Sequence, residues 1–275
     1  MQFALKLPRL KHQVPLSTLP SRRHLPLPPL GFHYLARLAS PRSSFHSSPS
    51  LPLSRTTPLF EMSPPTDNRL ICPRANLTPS ETPPSLFNDE VAFFTSIPWI
   101  QGLLNAPDAI SFLPACRNPL TDVHDQLFGR TLATNRAIQH MLCVFRAPSP
   151  EAALDPTRNI TEVDTFVSVG HGVSGFPNVV HGGIVASLLD ESMGCIFDLN
   201  ISLGKAAPTF QTSSVTGGLD VRYLRPVPTN SILRITAKVE SINGRKTKIQ
   251  CQMANENGEV LAKCDSTWVA TKPNL

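Results

Sequence analysis

The sequence predicts an α+β fold: one long central helix wrapped by a curved antiparallel β-sheet. Three observations carry that expectation. Between Gly175 and Phe197 the apolar residues Ile184, Val185, Leu188, Leu189, Met193, Ile196 and Phe197 recur at helical spacing. From Val215 onward, four runs alternate apolar and polar side chains at the period of a strand. Those runs are joined by short turns, so there is no room between them for the helices of a parallel, doubly wound sheet. A helix apolar on most of its circumference has to be enclosed, and a sheet curved over it buries both apolar surfaces in one core.

The chain reaches those elements only after a long, differently composed beginning. Its first 60 residues contain no Asp or Glu but eight basic residues, more than the net charge of +5 carried by all 275. From Glu61 onward 17 basic residues face 20 acidic ones. The basic character therefore belongs to residues 1–60, and no basic excess remains that would suit nucleic acid. Rich in Arg, Ser, Pro and Leu, this stretch has the composition of a mitochondrial transit peptide. The segment RSSFHSSP, Arg42 to Pro49, is similar to a presequence processing region, with cleavage expected near 43–51. No window reaches the roughly 18 consecutive apolar residues that a membrane span requires.

Residues 1–84 hold 16 of the 28 prolines, so 61–84 is expected to be a Pro-rich linker without fixed structure. Order is expected from Ser85, where Phe87, Val91, Phe94 and Ile97 share one face of a short helix stopped by Pro98. Residues 85–137 read as a helical and irregular extension. At Ile138 the texture changes, and 138–275 reads as the main domain. IQHMLCVFRA and TEVDTFVSVGHG are strands, followed by the long helix. DLNISLGKAAPTFQTSS is a polar, mobile connection. Four strands then form a meander, with Asn243-Gly244 and Asn257-Gly258 as tight-turn signals and Pro226 and Pro228 ending the first of them. The six cysteines show neither C-x-x-C pairs nor zinc-ligand spacing and read as free, buried thiols.

Two features of the helix carry chemistry. His181-Gly182-Gly183 stands at its start, where backbone N–H groups lack helical partners and the helix dipole is positive. Such a terminus can hold a carbonyl oxygen that becomes negative in acyl transfer; equally, the glycines can serve a tight entry turn. Asp190 and Glu191 form an acidic pair in the middle of the helix, where an unpaired carboxylate is costly. Asp190 lies seven residues beyond Gly183, about 10 Å along the axis. A carboxylate at that distance serves a carbonyl held by a second subunit's helix more readily than one held by its own. Composition does not choose between the two acids.

The stretch HGGIVASLLDESMG resembles the signature of hotdog-fold acyl-CoA thioesterases, the PaaI-like group and its mitochondrial THEM subgroup. VTGGLDVRYLRPVP is similar to that family's strand ending in Y-x-R-P, and the likeness covers about 138–271. The resemblance implies a hotdog fold paired into dimers or dimers of dimers, and hydrolysis of acyl-CoA thioesters. It makes Asp190, nine positions after His181, the catalytic carboxylate, as general base or nucleophile, and gives Glu191 a supporting or surface role. It implies that the Gly183 N–H, with Gly182 nearby, polarises the thioester carbonyl, and that Thr216 orients the water. His181 and Asn178 fall at substrate-binding positions; Asn178 is the candidate for a loop position where many PaaI-like enzymes carry Asn or Glu. Arg222, Arg245 and Lys246 match positions facing the CoA phosphates. No metal or redox cofactor is implied, since CoA is part of the substrate. Two further readings stay open: a non-catalytic acyl-CoA-binding protein, and a thioesterase tailoring a secondary-metabolite acyl chain, with an acyl carrier protein as donor.

Overall fold

A computed structural model describes residues 69–119 and 123–272. The expected transit peptide, residues 1–60, lies outside them, as does most of the first half of the expected linker. The rest of that linker corrects the expectation. Leu70, Ile71 and Cys72 are buried, and Ile71 exchanges backbone hydrogen bonds with Leu113 at 3.1 and 2.8 Å. Three consecutive apolar residues outweigh the surrounding prolines, because each full burial contributes about 1.5–3 kcal/mol.

Helix α1 (Pro84–Thr95) follows, and then α2 (Pro98–Leu104). Pro98 does not only stop the first helix. It starts the second, where a missing N–H costs nothing. A short strand, β1 (Ala109–Phe112), then joins the sheet edge. The next elements are β2 (Ile138–Arg146), α3 (Pro150–Leu154), β3 (Glu162–Val169), the small ribbon β4 (Ser174–Phe176) and β5 (Val179–Val180), and the long helix α4 (Gly182–Ser202). Strands β6 (Ser214–Tyr223), β7 (Ser231–Asn243), β8 (Lys246–Ala254) and β9 (Val260–Ala270) complete the domain.

Among the described residues, seven antiparallel strands form one sheet in the order β1-β2-β3-β7-β8-β9-β6. Helix α4 packs on β3, β6, β7 and β8, and Leu188, Leu189, Met193 and Ile196 are fully buried against the sheet's inner face. This is the hotdog arrangement. A second, smaller core lies on the other face, where α1 and α2 bring Phe94 and Ile100 against Leu142, Val144 and Phe166. Strand β2 is thus covered on both sides, which is why its sequence runs apolar without strict alternation.

The expected meander is corrected in one respect. Strands β7, β8 and β9 are hairpin neighbours, but β6 pairs with β9 and forms the far edge. Pro226 and Pro228 explain the departure: lacking N–H donors, they cannot sit in a hairpin, so loop 224–230 carries the chain past two strands to β7. The connection after α4 is also less irregular than expected. The helix runs to Ser202, and the Asn200 side chain bonds both the N–H and the carbonyl of Ile160 at 2.8 Å. Lys205 is buried and donates to the carbonyls of Ala153 and Asp155.

Candidate active site

The long helix presents its mid-point to one wall of a cleft of about 490 Å³. Asp190 stands there on α4, and Thr216 faces it from β6. The Thr216 hydroxyl donates to Asp190 Oδ1 at 2.8 Å. Register puts Thr216 opposite Trp268 on β9, just before a bulge between Thr216 and Gly218. A bulge re-aims the residue beside it, and here Thr216 meets the helix carboxylate. The hydroxyl holds one carboxylate oxygen and leaves the other without a hydrogen-bond partner among the described residues, in the cleft.

The start of α4 is built differently from the expectation. His181 is the N-cap, with extended backbone, and its Nδ1 accepts from Gly183 N–H at 3.0 Å. The N–H expected to polarise a carbonyl therefore already has an acceptor. Gly182 N–H has none among the described residues, and the Gly182 carbonyl accepts from the Tyr223 hydroxyl at 3.0 Å. The available donor at the helix start is thus Gly182, with Gly183 joining only if the His181 ring turns away.

Other expected site residues lie apart from Asp190. Asn178 occupies the turn between β4 and β5 with φ +61°, a left-handed conformation that Asn tolerates, and its carbonyl accepts from Thr229 N–H at 3.1 Å. Arg222 pairs with Asp220 at 3.1 Å and Asp265 at 3.3 Å. It lines a separate outer groove with Arg234, Lys238 and Lys263. Arg245 ties the β7–β8 turn to the end of β9, donating twice to the Ala270 carbonyl at 2.8 and 2.6 Å. Lys246 opens β8 and is exposed.

Of the supporting and surface roles expected for Glu191, its half-buried position in the cleft fits the supporting one better. Burial pushes its carboxyl up to about 7, against a hydrogen bond from the Cys116 thiol. Asp198 shares this cleft, and burial, with the charges of Glu191 and Asp125, raises it to about 7 as well. Asp198 was legible in principle: Asp190, Gly194 and Asp198 recur at four-residue spacing on one helix face. Trp268 and Ser214, which also line the cleft, come from strands whose partners the sequence does not state.

Residues 177–262 match the thioesterase superfamily. Among curated proteins the chain is similar to verlamelin biosynthesis protein B of Lecanicillium sp, 27% identical over 208 residues, covering 67% of this chain and 89% of that one. It is also similar to acyl-coenzyme A thioesterase THEM4 of Xenopus laevis, 27% identical over 128 residues, covering 46% of this chain and 43% of the relative. The chain thus spans less than half of that relative's length. Among solved structures, the PaaI protein of the E. coli phenylacetic acid degradation operon is 17% identical, with a TM-score of 0.35 over 41% of this chain and 75% of that one.

Proposed function

We propose that this chain, whose residues 177–262 match the thioesterase superfamily, hydrolyses acyl-CoA thioesters to a free acid and CoA. The observation that carries the reading is the Asp190–Thr216 pair, a carboxylate with one oxygen held at 2.8 Å and the other facing a cleft. Asp190 acts as general base. A water bound to its free oxygen attacks the thioester carbonyl, and Asp190 takes the proton as the new C–O bond forms. The negative charge moves to the carbonyl oxygen, which the Gly182 N–H and the positive helix start of the second subunit stabilise. Collapse of the tetrahedral intermediate breaks the C–S bond and expels CoA as thiolate, which takes up a proton. The similarity to an acyl-coenzyme A thioesterase supports CoA as the carrier. The similarity to a biosynthesis protein over most of that protein's length favours a second reading, in which the released acid feeds a secondary metabolite.

The active unit of this proposal is a dimer. Strand β6 ends the sheet, runs ten residues, and exposes Val215, Leu219 and Tyr223. Its outer row of N–H and C=O groups has no neighbouring strand among the described residues, and a long exposed edge of this kind is a template for pairing with another strand. Two copies joined β6 to β6 would bring each Asp190 toward the partner's helix start. The acid-free, Arg- and Ser-rich first 60 residues support delivery to mitochondria. No helix among the described residues is long and apolar enough to cross a membrane.

The testing experiment offers the protein a series of acyl-CoAs and the same acyl groups on a carrier protein, and measures thiol release. The proposal expects release from CoA at rates well above the uncatalysed background. Tight binding of acyl-CoA with no release would replace it with a binding role.

A further inference from the structure

The cleft that holds Asp190 and Thr216 continues along α4 for two further turns. Part of its wall is apolar, where Phe197 meets the Trp268 ring with centroids 5.0 Å apart. Gly194 keeps the space open: a Cβ there would stand 3.5 Å from the Trp268 ring. That much suits a hydrocarbon chain leading away from a thioester at Asp190.

The far end does not suit one. Asp198 stands about 12 Å beyond Asp190 along the helix axis. Its carboxylate lines the cleft and has no hydrogen-bond or ion-pair partner among the described residues. On β6, across from the helix, the Ser214 hydroxyl oxygen is buried and also without a partner. Asp198 is half-buried, and a methylene chain filling the cleft over it and Ser214 would bury both groups unpaired, a state that polar groups rarely adopt. A hydroxyl or a protonated amine on the chain would donate to Asp198, and a hydroxyl would also accept from Ser214. Burial first, and then the neighbouring charges of Glu191 and Asp125, already raise the affinity of Asp198 for a proton, which favours a donor there further.

We infer that this cleft selects acyl chains bearing a hydrogen-bond donor remote from the thioester, and that Asp198, with Ser214, is the residue that reads it. The inference rests on the thioesterase reading of the same site and names its substrate class. The sorting is a positive one: a site built to bond a hydroxyl or amine discriminates against the analogue that lacks it.

The test compares saturated acyl-CoAs with chain-matched counterparts carrying a terminal hydroxyl or a terminal amine. Binding and hydrolysis are measured on the full chain and on Asp198→Leu and Asp198→Asn. The unmodified protein is expected to bind at least one donor-bearing series about tenfold more tightly than the plain chains. Asp198→Leu is expected to erase or reverse that ratio while still hydrolysing plain chains, which shows the variant is folded. Should Asp198→Leu fail to fold, the near-isosteric Asp198→Asn is expected to reduce the ratio. Equal binding of plain and donor-bearing chains by the unmodified protein would overturn the inference, as would a ratio unchanged in Asp198→Leu. Preferential binding of donor-bearing chains without turnover would support the inference and sink the hydrolase reading alone.

Discussion

The Thr216 hydroxyl fixes one carboxylate oxygen of Asp190, so its removal should loosen the proposed base and leave the cleft intact. Thr216→Val is expected to lower kcat about tenfold with little change in KM, and Thr216→Ser to retain most activity, in steady-state thiol-release kinetics. Asp198 makes a second prediction. Its folded-state value of about 7 stands above the ordinary 3.8. Between those values the folded protein holds the proton more tightly than the unfolded chain does. The protonated carboxyl thus supports the fold at low pH, and that support is lost as pH rises toward 7. The Tm of Asp198→Asn minus that of the parent should therefore grow from about pH 4 to pH 7 and level off above. At this scale the resemblance singles out Asp190, nine positions after His181, and Thr216, on the strand that follows the helix, but the hydrogen bond between the two is legible only in the structure. The capping of Gly183 by His181 was not, because histidine is an unusual N-cap and only the backbone geometry reveals the bond. Arg222 and Arg245 were grouped with the site by motif, but strand alternation sends Arg222 to the outer groove, and the turn turns Arg245 onto the Ala270 carbonyl.

Among the elements, the strands with the plainest alternation were the most legible. Strand β8 alternates exposed and buried residues almost without fault, and the glycines of its two turns adopt φ +57° at Gly244 and +75° at Gly258. Alternation states that a strand exists and which face is apolar. It does not state which neighbour the strand takes, and so β6 was read as the first strand of a meander when it is the sheet's edge. The edge position carries its own prediction. Val215→Lys with Leu219→Lys places like charges on a strand proposed to face its own copy. The double variant is expected to elute as a monomer, with a light-scattering mass half that of the parent, while its circular dichroism is unchanged. A parent chain that is itself monomeric would remove β6 as a dimer seam.

Over the whole molecule, the change in texture at Ile138 coincides with the start of β2, but the sheet already begins with β1, and composition does not show where order begins. Prolines dominate counts over 61–84 and hide the Leu70-Ile71-Cys72 triplet, whose burial depends on Leu113 and on other residues distant in sequence. The same holds for α1 and α2, which cover the outer face of β2 and β3 and make the N-terminal extension part of the fold. What joins these scales is one helix that is core on one side and, in the proposed function, the reactive wall on the other, with Asp190 at its middle. The measurement that bears most directly on this account is acyl-CoA hydrolysis by the parent and Asp190→Asn, with substrate binding followed in parallel. The account predicts a loss of at least about a hundredfold in kcat with acyl-CoA binding retained. Asp190→Asn turning over acyl-CoA at the parent's rate would contradict it.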